Sequence, residues 1–153
     1  MRSPRAFLIL ALFAAACASG PPQPSRDERA IRGLVRDLVR ADAAGDVDAV
    51  MAVYAADAVL MPPGGAEITG LDAIRDHYAA QFAGAVLQVG IGNRDLSVDG
   101  DHASMRGYTQ GLVTPSGGEP VAFRHKFLMN LVRGADGVWR IHRLIWNEEP
   151  QGS

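Results

Sequence analysis

Three turn signals cut the second half of the chain into four long extended segments, and this punctuation limits the possible fold more than any other feature. Asp99-Gly100 separates segment 86–98 from 102–114, Pro115-Ser116-Gly117-Gly118 separates that from 119–133, and Asp136-Gly137 leads into 138–148. Helical patterns come before them. Ser25-Arg26-Asp27-Glu28 is a capping box, in which the serine oxygen takes the amide three residues on and the glutamate reaches back. The helix it opens runs to about Ala44, with Ile31, Leu34, Val35, Leu38 and Val39 on one apolar stripe. Gly45 ends it, and Asp46 caps a short helix to Ala55 that sets Val47, Val50, Met51 and Tyr54 on one face. Asp57 to Met61 reads as a brief strand stopped by Pro62-Pro63-Gly64-Gly65, and Leu71 to about Ala83 as a third helix. Helices first and long strands afterwards predict an α+β fold, one domain over 26–149, with three helices closing one face of a strongly curved, mostly antiparallel sheet.

The N-terminus reads as an address. Arg2 and Arg5 precede the apolar run Ala6 to Ala16, which is too short to span a bilayer as a mature helix, so 1–19 is expected to be an export signal. Ala14-Ala15-Ala16-Cys17 resembles the lipobox of bacterial lipoproteins, with Cys17 as the lipidated residue, while Ala16-Cys17-Ala18 also fits ordinary signal cleavage. Ala18 after the cysteine points to the outer membrane by resemblance to Gram-negative sorting patterns. The expected location is a periplasm-facing outer-membrane lipoprotein, ahead of a free periplasmic or secreted form, touching the membrane only through a lipid at Cys17. Residues 20–25, with Pro21, Pro22 and Pro24, form a tether. With 15 basic against 17 acidic residues and no basic block, the chain has no electrostatic footprint for nucleic acid. A single cysteine makes no internal disulfide, and four scattered histidines show no metal-ligand spacing, so neither metal nor cofactor is expected.

The segment Ala44-Gly45-Asp46-Val47-Asp48-Ala49-Val50-Met51-Ala52-Val53-Tyr54-Ala55-Ala56-Asp57-Ala58-Val59 resembles the opening of the SnoaL-like and ketosteroid-isomerase-like branch of the nuclear transport factor 2-like superfamily. Gly70-Leu71-Asp72-Ala73-Ile74, Asp136-Gly137-Val138-Trp139-Arg140-Ile141 and Trp146-Asn147 follow in the matching order. The resemblance implies a cone whose curved sheet and helices enclose one deep, mostly apolar pocket. It leaves function open, because such folds serve isomerases, dehydratases, cyclases, hydrolases and plain binding modules.

A type I turn with a Gly bulge at Asp136-Gly137 would pair even residues with even residues. Through the resemblance, that even face is expected to be the concave one: Lys126, Leu128, Asn130 and Val132 beside Arg140, His142, Leu144 and Trp146. Ala103, Met105, Gly107, Thr109 and Gly111 join them from the preceding strand, and Leu38, Tyr54 and Tyr78 from the helices. The expected pocket residues are therefore Leu38, Tyr54, Tyr78, Thr109, Lys126, Asn130, His142 and Trp146. A one-residue slip would reverse every strand assignment. Phe123, Phe127, Met129 and Leu131 would then lie outside with Trp139, Ile141 and Ile145, an apolar face expected to be covered by a second copy in a homodimer. The alternative is that this face is the pocket wall.

By the same resemblance the isomerase base falls on Pro62, the oxyanion tyrosine on Leu38 and the oxyanion acid near Leu128, so isomerisation by the known mechanism is not expected. Three readings stay open. The first is an exported protein binding a small, largely apolar organic molecule, with catalysis undecided. The second is a cofactor-independent isomerase, dehydratase or cyclase using His142 and Tyr54 as acid and base. The third is a non-catalytic interaction module of the envelope.

Overall fold

The computed structural model describes residues 24–149. The expected export segment, Cys17 and most of the tether lie outside the described residues. Helix α1 (Arg26–Ala44) starts as its capping box dictates: Ser25 Oγ accepts from the Glu28 amide at 3.0 Å, and the Ser25 amide donates to Glu28 Oε2 at 2.6 Å. Ile31, Val35, Leu38 and Ala41 make its buried stripe. Gly45, at φ 65°, takes the left-handed conformation that closes the helix and that residues with a side chain rarely adopt. Asp46 then caps α2 (Val47–Met51) through the Ala49 amide at 3.0 Å.

This second helix is shorter than expected. Its one turn ends at Met51, and Tyr54 opens strand β1 (Tyr54–Met61) instead of completing a helical stripe. Pairing of Tyr54 with Ile141 on the last strand holds the chain extended there, against the helical preference of the alanines that follow. After the short β2 (Ile68–Thr69) and α3 (Leu71–Gly84) come the four long strands β3 (Ala85–Asp99), β4 (His102–Pro115), β5 (Val121–Arg133) and β6 (Trp139–Glu148). The turns lie where the Gly-containing signals place them. The sheet runs β2-β1-β6-β5-β4-β3, antiparallel throughout except for the parallel pair β1 and β6.

The strand faces differ from expectation on β5 and on half of β6. Opposite residues of an antiparallel pair share a face, and Met105 lies opposite Met129, so the inward odd residues of β4 carry the odd residues of β5 inward with them. Phe127, Met129 and Leu131 are buried, whereas Leu128 is 45% exposed. Pairing at the Asp136-Gly137 turn is even with even, as Val132 opposite Arg140 shows. Further along the same pair, however, Leu131 opposes Ile141 while Asn130 opposes Arg143, a bulge that inserts one residue into β6. Trp139 and Ile141 therefore point inward before the bulge, and Leu144 and Trp146 after it. The apolar row Phe123, Phe127, Met129, Leu131, Trp139 and Ile141, expected outside, is the inner wall, and Ile145, expected outside with them, does face out.

One carboxylate ties the first turn of α1 to the sheet. Asp27 Oδ1 accepts from Arg133 Nη1 at 3.0 Å and from Trp139 Nε1 at 3.1 Å, with the Arg133 guanidinium 5.2 Å from the Trp139 ring centre. At this half-buried position each bond is worth on the order of 1 kcal/mol. Together they fix the angle at which α1 crosses the concave side.

Candidate functional site

Between the helices and the concave side of the sheet lies a cavity of about 380 Å³. Leu38 and Asp42 of α1 line it, as do His77, Tyr78 and Gln81 of α3, and Leu87, Val89 and Ile91 of β3. Strands β4 to β6 add Thr109, Val113, Phe123, His125, Phe127, Met129, Leu144 and Trp146. The wall is aliphatic and aromatic with a few polar groups, the composition of a small-molecule site. Glycines let this wall form. A Cβ on Gly107 would stand 2.9 Å from two carbons of the Phe127 ring, so its absence lets Phe127 lie across β4.

Asp42 is the unusual member. It follows Leu38 by one helical turn, which puts both side chains on the α1 face that meets the cavity. Its Oδ1 is shut off from solvent and has no hydrogen-bond partner. Burial pushes the carboxyl up to about 7 from the usual 3.8. An acid in this state gives up or takes a proton near neutral pH.

Tyr78 Oη lies 2.9 Å from Tyr54 Oη. Tyr54 is 2% exposed and has no other side-chain partner among the described residues, so a bond donated by Tyr78 would strand the Tyr54 hydrogen. Either hydroxyl can donate to the other, and with Tyr54 as donor the Tyr78 hydrogen is left for an occupant of the cavity. Burial pushes both phenols up, strongly for Tyr54, and the charge of Asp42 adds to the rise in each. Burial lowers His77, and lowers His125 against the opposing pull of Glu148, so both imidazoles favour the neutral form.

Of the eight residues expected in the pocket, Leu38, Tyr78, Thr109 and Trp146 line the cavity. Tyr54 is packed behind Tyr78. Lys126, Asn130 and His142 are on the outer side of the sheet, the first two because β5 presents its odd residues inward and His142 because it sits at the bulge. His142 Nδ1 is 2.7 Å from Arg143 Nη1, and its Nε2 lies 3.4 Å from Asp57 Oδ2, far from any cavity chemistry. The expected pair of His142 and Tyr54 is thus not brought together. Leu128, aligned to the oxyanion acid, also faces out, and its inward neighbours Phe127 and Met129 are equally apolar. His77 and His125 also line the cavity, and the acid at position 42 was not anticipated at all. Leu38 carried the available signal, since the residue four positions after a pocket-facing helical residue shares its face.

The family model of the SnoaL-like domain matches residues 23–145. Among solved structures, a ketosteroid isomerase-like protein from Erwinia carotovora atroseptica is similar at 23% identity and TM-score 0.76, covering 82% of this chain and 98% of its own. A conserved protein from Planctomyces limnophilus is 17% identical with TM-score 0.72, covering 80% of this chain and 98% of its own. A nuclear transport factor 2-like protein with a cystatin-like fold from Novosphingobium aromaticivorans is 21% identical with TM-score 0.66, covering 83% of this chain and 84% of its own. No curated protein matches the chain. At these identities the structural likeness carries the fold alone.

Proposed function

The chain belongs to the SnoaL-like domain family, and from that premise we propose that it binds a small, largely apolar organic molecule bearing one hydrogen-bonding group in the cavity between α1, α3 and the sheet. The observation that carries this is an apolar wall broken by the Asp42 carboxyl, whose Oδ1 is shut off from solvent and unpartnered, and by the Tyr78 hydroxyl, whose side-chain partner is Tyr54. An occupant would supply the partner that Asp42 lacks. Naphthalenemethanol is a suitable neutral probe: it should quench the fluorescence of Trp146, measured in a Trp139→Phe background, with saturation. Val89→Phe, which fills the cavity from β3 without adding a tryptophan, should weaken this at least about tenfold while leaving circular dichroism unchanged. Absence of saturable quenching, or equal affinity in the filled variant, would count against the cavity as the site.

The enzymatic reading moves from His142 and Tyr54 to Asp42 and Tyr78. Asp42 titrates in the range where a general acid or base works best, and Tyr78 supports the charge that develops on a substrate oxygen. Export through the N-terminal segment and anchorage at Cys17 remain part of the proposal: Cys17→Ser should abolish palmitate labelling in the native host, and unchanged labelling would remove the anchor. A homodimer through the outer sheet face now rests on Leu112 and Leu128, which are exposed, with Ile145 beside Leu128 on the same face. Light scattering at monomer mass would dismiss it.

A further inference from the structure

Resting on that reading, we propose that the occupant of the cavity is a small organic cation, an amine carried on an apolar, ring-sized body. The charge balance of the wall carries the argument. Asp42 is the one carboxyl among the lining residues, and no Lys or Arg lines the cavity with it. No salt bridge reaches Asp42 from any described residue. A carboxyl oxygen shut off from solvent needs a partner, and no described residue supplies one to Asp42 Oδ1, so a cationic occupant would complete the pair.

The remaining polar groups can accept from a cation. Gln81 and Thr109 each present an oxygen that can accept an N–H bond, and the imidazoles of His77 and His125, inclined by burial to the neutral form, each keep an acceptor nitrogen. An anionic ligand would meet the Asp42 carboxyl without a single cationic side chain to offset it. Aromatic rings from Tyr78, Phe123, Phe127 and Trp146 line the same space, and ring faces attract an ammonium group more strongly once water is excluded. Oxygen and ring together favour a positive nitrogen over a neutral hydroxyl.

Three probes with one ring system separate the charges: naphthylmethylamine, naphthalenemethanol and naphthoate, titrated by calorimetry into the wild-type domain at pH 7.5. The amine is expected to bind at least about tenfold more tightly than the alcohol, with no measurable heat from the acid. Asp42→Asn should erase that preference, weakening the amine at least about tenfold more than the alcohol, and Asp42→Leu should act likewise if the amide variant folds poorly. Equal binding of amine and alcohol by the wild type, or an amine preference that survives both variants, would overturn the cation inference and leave the cavity reading standing. Binding of none of the three would overturn both.

Discussion

Replacing Asp42 by leucine is expected to stabilise the domain at pH 8 and to flatten its dependence on pH. In the folded protein the Asp42 carboxyl stays protonated up to about pH 7, whereas in the unfolded chain it ionises near 3.8. Between those values the folded state holds a proton that the unfolded state has lost, so stability falls as pH rises and the full penalty is present above 7. Raising the carboxyl from 3.8 to about 7 corresponds to about 4 kcal/mol at most. His77 and His125 oppose this below pH 6.5, because burial lowers both and their protonation favours the unfolded chain. The informative quantity is therefore the difference between wild type and Asp42→Leu. Urea denaturation at pH 5 and pH 8 should show the variant gaining several kcal/mol more at the higher pH. An identical pH slope in the two proteins would mean that Asp42 is solvated and not buried as described. A residue that weakens its own fold is most readily understood as one kept for what the cavity does.

A second large effect is expected on the sheet. Gly107→Val should cost about 3 kcal/mol or more, since even a Cβ at this position overlaps the Gly92 carbonyl oxygen and presses on the Phe127 ring. Gly111→Ala meets the Gln88 carbonyl oxygen in the same way. Backbone oxygens in a paired strand have nowhere to go, so relief would have to come from parting β3 and β4. Gly84, with nothing within 4 Å of its added Cβ, is the control, and Gly84→Ala should stay within about 0.5 kcal/mol of wild type. Thermal melts of the three variants would settle the matter, and a Gly107→Val protein melting with the wild type would show that β3 is not held against β4 as described.

Much of this architecture is legible in the chain. The capping box at Ser25, the glycine at position 45 and the three turn signals locate the helices and long strands, because each acts through local geometry that no distant contact overrides. The alternation Phe123, His125, Phe127, Met129, Leu131 is equally plain as one face. What local pattern does not supply is the side that face is on. That depends on the β4 to β5 register, which also carries Lys126 and Asn130 outward. Asp42 escaped for a different reason: near a helix end a polar residue usually faces water, and only packing of α3 and β3 around it reveals that it does not.

The bulge in β6 has a further consequence for recognising related chains. Strict alternation fails across it, so an alignment carried through without the extra residue takes the cavity wall for the exterior over half the strand. The inward positions of β6 obey the spacing W-x-I-x-x-L-x-W, from Trp139 through Ile141 and Leu144 to Trp146. A search for that split pattern, combined with an acid four residues after an apolar helix position and two residues ahead of a small one, would collect proteins built around the same interior where a simple alternating profile would scatter them.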